Sequence, residues 1–155
     1  MPNLFVVTDV SGSMYAGGKL FVVQTVLQTL DVAKTIVESE EITIEKRNWD
    51  GTEKGFEELM PELSGSCSMI LTDGYAILDS CGKSRTAKKF FDENSDSLFV
   101  ILCGGDSINI SKLKDFSKVC TVTADNVLLA FETLLAFGKH AENRDSAEET
   151  GNGWE

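Results

Sequence analysis

Short apolar runs alternate along this chain with longer stretches whose apolar residues recur every third or fourth position. The runs, of about five to seven residues, predict β-strands near residues 3–9, 41–47, 67–72, 97–103 and 119–123. The first intervening stretch, 18–38, sets Leu20, Val23, Leu27, Leu30 and Val37 at helical spacing, which gives that helix one apolar face. Shorter helices are expected near 53–60, 83–94 and 109–117. A last helix over about 125–139 carries Val127, Leu128, Phe131, Leu134 and Leu135 on its core face, with Asp125 as its N-cap. Strands and helices in regular alternation are the pattern of an α/β fold, a parallel sheet covered by helices on both faces. The pattern then stops. Residues 141–155 place Glu142, Asp145, Glu148 and Glu149 among Ser, Thr, Asn and Gly with almost no apolar support, and read as a disordered acidic tail behind a single domain of residues 1–140.

The predicted strand ends carry the chemistry. Asp9-Val10-Ser11-Gly12-Ser13 follows Leu4-Phe5-Val6-Val7 and brings one carboxylate and two hydroxyls to the end of the first strand. Thr72-Asp73-Gly74 closes the run Met69-Ile70-Leu71 and brings a second carboxylate to the end of the third. Between them, Asp50-Gly51-Thr52 is a turn signature with a further hydroxyl. Hard divalent cations take oxygen ligands, and Mg2+ accepts few carboxylates and completes its shell with neutral oxygens and water.

With these three elements in this order, the chain resembles a von Willebrand factor type A domain (vWA) over roughly residues 3 to 138. That family carries a metal-ion-dependent adhesion site (MIDAS) of the form Asp-x-Ser-x-Ser, then a loop threonine, then an Asp in a Thr-Asp-Gly setting. The matching residues are Asp9, Ser11 and Ser13, then Thr52, then Asp73. The resemblance implies a Rossmann-like, doubly wound fold and a Mg2+ site, with Mn2+ or Ca2+ as substitutes. It further implies Ser11 and Ser13 as direct ligands, Thr52 as a state-dependent one, and Asp9 and Asp73 as ligands acting mainly through water. A cation held in this way keeps positive charge and an open position, which the Asp or Glu of a partner protein fills. Typical members have a sixth, antiparallel edge strand. Here the chain passes from Ile42-Thr43-Ile44 to Thr52 too quickly for that hairpin, so about five parallel strands in the order 2-1-3-4-5 are expected. In such a sheet ligands bind at the strand ends flanking the topological switch point, which are those of Asp9 and Asp73.

Composition narrows the alternatives. Lys and Arg total 14 against 25 Asp and Glu, a formal charge of −11 that opposes binding to nucleic acid or to anionic lipid. The four cysteines, Cys67, Cys81, Cys103 and Cys120, are well separated, contain no Cys-x-x-Cys, and read as reduced core thiols. Met1-Pro2-Asn3 leads straight into the first strand without the features of a signal peptide, and no run approaches the length of a membrane span, so a cytoplasmic protein is expected.

Enzyme readings each lack a residue. A Walker A loop ending at Gly18-Lys19 would need Gly at position 13 and Ser or Thr at position 20, where Ser13 and Leu20 stand. There is no Gly-x-Ser-x-Gly elbow, and the only histidine, His140, falls near the end of the last helix, away from the carboxyl edge of the sheet. The strongest enzyme alternative is a Mg2+-dependent phosphatase or hydrolase of haloacid-dehalogenase type, yet its first motif is Asp-x-Asp and Ser11 replaces the second acid. Gly104-Gly105-Asp106-Ser107 reads as a turn flanking the site rather than a phosphate cradle. Lys83, Arg85, Lys88 and Lys89 read as the solvated face of a helix, with docking to an acidic partner as the alternative. The expectation is therefore a non-enzymatic, metal-dependent interaction module.

Overall fold

In a computed structural model, residues 3–36, 42–116 and 119–136 are described. Five strands, β1 (Asn3–Asp9), β2 (Thr43–Trp49), β3 (Cys67–Thr72), β4 (Leu98–Leu102) and β5 (Cys120–Thr123), form one sheet in the order β2-β1-β3-β4-β5. Every neighbouring pair is parallel, so the expected order and direction are those of the molecule. The central strands β3 and β4 are buried at every position, as strands sandwiched between helical layers must be, whereas the edge strand β2 is mostly half-buried. β2 runs two residues further than its expected end, because Trp49 is drawn into the core and pairs with Asp9 of β1.

The helices are α1 (Lys19–Ile36), α2 (Glu53–Leu63), α3 (Arg85–Glu93) and a last helix, α4, over 127–136. Side chains alternate across the sheet. Phe5 and Val7 of β1 pack with Phe56 of α2 and with Phe90 and Phe91 of α3, while Leu4 and Val6 pack with Val23, Val26 and Leu30 of α1 and Phe131 of α4. The two faces differ in kind. The α2/α3 face is built on aromatic rings, with Phe56 stacked on Phe91 at 5.3 Å between centroids, and the α1/α4 face is largely aliphatic.

Several helical expectations shift. The helix expected at 83–94 begins at Arg85, capped by the Ser84 hydroxyl, and a separate π-helical turn, Ile77–Cys81, precedes it. The expected helix at 109–117 is a 3-10 segment, Ile110–Phe116, with Leu113 outside helical geometry. Asp125 lies inside a 3-10 turn, Ala124–Asn126, whose cap position is Thr123, so Asp125 is not the N-cap. On α4 the core row is Val127, Ala130, Phe131 and Leu134, and Leu128 faces solvent. Cys67, Cys81 and Cys103 are buried free thiols. The expectations for Cys120's side chain, Val37, His140 and the acidic tail lie outside the described residues. No helix among those residues is long and apolar enough to cross a membrane.

Candidate metal centre

Because β1 and β3 are neighbours, their carboxyl ends deliver Asp9 and Asp73 to the crevice where the direction of winding reverses. Both side chains are fully buried. The alternation of the strands turns them to different faces: Asp9 continues the row of Phe5 and Val7, and Asp73 the row of Met69 and Leu71 that faces α1.

Their partners differ accordingly. Asp9 accepts from the Ser11 amide through Oδ1 at 2.8 Å and from the Thr72 hydroxyl through Oδ2 at 2.6 Å. Both donors are neutral, and among the described residues no cation lies in ion-pair contact with Asp9. Asp73 accepts from the Tyr75 amide through Oδ1 at 3.2 Å, and its Oδ2 lies 2.9 Å from Lys19 Nζ.

Lys19 is itself only 2% exposed, and its ammonium also donates to the Ser13 carbonyl at 3.0 Å and reaches Asp106 Oδ1 at 3.2 Å. Desolvation is the largest single influence on this amine and favours its neutral form. The hydrogen bonds to Asp73 and Asp106, reinforced by their charges, outweigh it and hold the pKa above the ordinary lysine value.

Ser11 and Ser13 belong to the loop leaving β1, in which Ser13 sits in an exposed 3-10 turn, Gly12–Tyr15, anchored by buried Met14. Ser11 Oγ is buried without a hydrogen-bond partner among the described residues. The other such oxygen, on Ser68, lies at the opposite edge of the sheet. The loop leaving β2 closes over Ser11 so tightly that a Cβ on Gly51 would stand 2.6 Å from Ser11 Cβ, and Gly51 holds φ +85°. Only glycine fits there. The Ser80 hydroxyl and the Trp49 indole tie this loop down through the Gly51 and Thr52 carbonyls.

Thr52 stands next to that contact, but its hydroxyl is engaged locally. It caps α2 by accepting from the Gly55 amide at 3.0 Å and donates to Asp50 Oδ1 at 2.6 Å. That hydroxyl, followed by the Thr52 amide, holds the Asp50 carboxyl below its ordinary pKa. The structure therefore joins Asp9 and Ser11 at the end of β1, sets Asp73 at the neighbouring end of β3, links the Ser13 carbonyl to Asp73 through Lys19, and leaves the Thr52 hydroxyl engaged by the helix cap and Asp50. Gly104-Gly105-Asp106-Ser107 is a turn, closed by the Ser107 hydroxyl on the Cys103 and Gly104 carbonyls at 2.8 Å, and no helix opens directly from it.

The donor set fits a hard cation of low carboxylate demand. It offers two buried carboxylates whose oxygens keep spare lone pairs, serine oxygens, and one buried hydroxyl that has no partner among the described residues. Among the described residues there is no cluster of three or more His, Cys, Asp or Glu side chains of the kind that holds zinc or a carboxylate-caged metal.

The sequence motifs include Thr72, the flanking turn includes Asp106 and the rejected Walker A loop includes Lys19, but the pattern assigns none of the three a part in the site. For Lys19 a signal existed. It is the first residue of α1, where the helix dipole opposes a cation, and no acid shares that first turn, so its charge must be met from elsewhere in the fold. No protein-family model matches this chain, and no curated protein matches it.

Proposed function

We propose that the chain is a non-catalytic, Mg2+-dependent protein-interaction module of vWA type that captures a carboxylate from a partner protein. The observation that carries this reading is Ser11 Oγ, buried and without a partner among the described residues, in the loop whose Ser11 amide binds fully buried Asp9. A buried hydroxyl left without a partner costs about 1–3 kcal/mol, a cost that a cation at this point removes. Ser11 and Ser13 would hold the metal directly and Asp9 and Asp73 through water, with Thr52 joining once its hydroxyl leaves Asp50. The cation supplies Lewis acidity toward an anionic oxygen. Ser11 in place of a second acid separates the site from the phosphatase alternative. The acidic surface of the chain requires the incoming Asp or Glu to sit in neutral or basic surroundings. Buried free thiols fit a reducing compartment, and we assign the module to the cytoplasm.

Calorimetric titration with MgCl2 or MnCl2 tests the reading. The wild type should bind one ion and Asp9→Ala should lose that binding, whereas absence of heat in both would sink it. Pull-downs from native extract, with Mg2+ and with chelator, should then yield partners that are lost on chelation.

A further inference from the structure

Lys19 is a buried cation set beside a site for a cation, and the fold makes room for it. A Cβ on Gly104 would stand 2.6 Å from Lys19 Cγ, so the glycine after β4 leaves the slot through which the lysine stem passes. On the Gly17 side the carboxylate of Asp106 packs within 3.4 Å of where a Cβ would be. The Tyr75 ring lies 5.9 Å from Nζ, and its hydroxyl donates to the Asp106 carbonyl at 3.1 Å. Four segments thus converge on one ammonium: the loop after β1 through Ser13, the start of α1, the end of β3 through Asp73 and Tyr75, and the loop after β4 through Asp106.

Resting on the metal reading above, we infer that Lys19 is the positioning residue of the site, an internal counter-cation that holds Asp73 in place and sets how strongly the metal is held. Three physical steps lead there. The ammonium fixes one oxygen of Asp73 while the Tyr75 amide fixes the other, which leaves the carboxylate oriented and half neutralised. A half-neutralised carboxylate attracts a divalent ion less strongly, and the ammonium repels that ion directly. A metal held here would consequently keep more charge for an external acid. Asp106, 61% exposed, offsets part of the ammonium from the solvent side.

The signs of two substitutions separate this role from simple structural support. Lys19→Met keeps the stem in its slot and removes the charge, so it should tighten Mg2+ binding by about tenfold, and Mg2+ should raise its melting temperature more than that of the wild type. Asp106→Asn leaves the ammonium less offset and should weaken Mg2+ binding by about threefold. Lys19→Arg keeps the charge and should stay within about twofold of the wild type. Titration calorimetry with MgCl2 on all four proteins, with melting curves at zero and saturating Mg2+, gives the answer. If Lys19→Met does not fold without metal, refolding in MgCl2 should recover it. Failure to recover, or a folded Lys19→Met that binds Mg2+ no more tightly than the wild type, overturns the inference and leaves the metal site standing. A wild type that binds no Mg2+ overturns both.

Discussion

The ends of β1 and β3 lie side by side and each buries a carboxylate completely, yet they balance that charge by opposite means. At β1, Asp9 is met by an amide and a hydroxyl from residues close to the sheet, both uncharged. At β3, Asp73 is met by an ammonium delivered from the first turn of α1. Strand pleating explains the difference, since the two carboxylates lean to different faces and, among the described residues, a lysine reaches a carboxylate here on the α1 face alone. A buried charge compensated only by dipoles retains an appetite for a cation, and one already paired does not. Among the described residues, the β1 end with Asp9 and Ser11 is therefore the one left without a cation, and the β3 end the one already paired.

The contrast breaks most visibly on neutralising each acid. Asp73→Asn leaves the buried Lys19 ammonium only the Ser13 carbonyl and the largely exposed Asp106 and should cost about 3–5 kcal/mol in urea unfolding without metal, whereas Asp9→Asn keeps one oxygen for the Ser11 amide, lets the Thr72 hydroxyl turn to accept from the new amide N–H, and should cost about 1–2 kcal/mol. Equal losses would show that the two ends are balanced alike. Glycine substitutions sharpen the same point. Gly104→Ala places a methyl group against the lysine stem at φ +103° and should cost about 2 kcal/mol, while Gly12→Ala, with nothing within 4 Å of the added carbon, should change stability by no more than about 0.5 kcal/mol. At the rim, Thr52→Ala removes the α2 cap and should cost about 1 kcal/mol on the same urea curve.

An alkaline effect begins as the smallest of these. Burial, followed by the charges of Glu53 and Asp9, pushes the Cys81 thiol up to about 12, and burial offset by the Thr72 backbone but joined by the charge of Asp73 does the same for Cys103. Because these thiols ionise later in the folded chain than their ordinary 9.0, the unfolded chain loses protons first. Stability should be flat from about pH 7 to 8.5 and decline as pH climbs through 9 toward 12, by a few tenths of a kcal/mol per thiol at the onset. Each thiol reports on its own strand end: Asp9→Asn should ease ionisation of Cys81, and Asp73→Asn that of Cys103, read by the pH dependence of thiolate absorbance.

The strands were legible because a strand buried on both faces is one continuous apolar run, which β4 is at every position and β3 is between its buried polar residues Ser68 and Thr72. The placement of Asp9 and Asp73 followed from where those runs stop. Leu128 was misassigned for a geometric reason. The true row of α4, Val127-Ala130-Phe131-Leu134, includes a small alanine that carries little weight in a hydrophobic pattern, and Leu128 lies a sixth or more of a turn away from it. The π-helical turn at Ile77–Cys81 left no mark because its apolar residues serve a helical period equally well. Lys19 was hidden by distance: its partner Asp73 lies 54 residues along the chain, and no local pattern encodes a pair that only the β1–β3 adjacency creates. Nor does Thr52 announce in sequence that its hydroxyl is spent on Asp50 and a helix cap, since Asp-Gly-Thr reads equally as a turn.

Trp49 donates its indole N–H to the Thr52 carbonyl at 2.9 Å while its ring is held edge-on to Phe56. Any rearrangement that redirects Thr52 must alter the polarity around that indole, so the protein carries an optical gauge of its own loop. The sequence holds two tryptophans, and replacing Trp154 with Phe leaves Trp49 as the sole emitter. The emission wavelength of that variant would report any movement of the β2–α2 loop in real time, without a label.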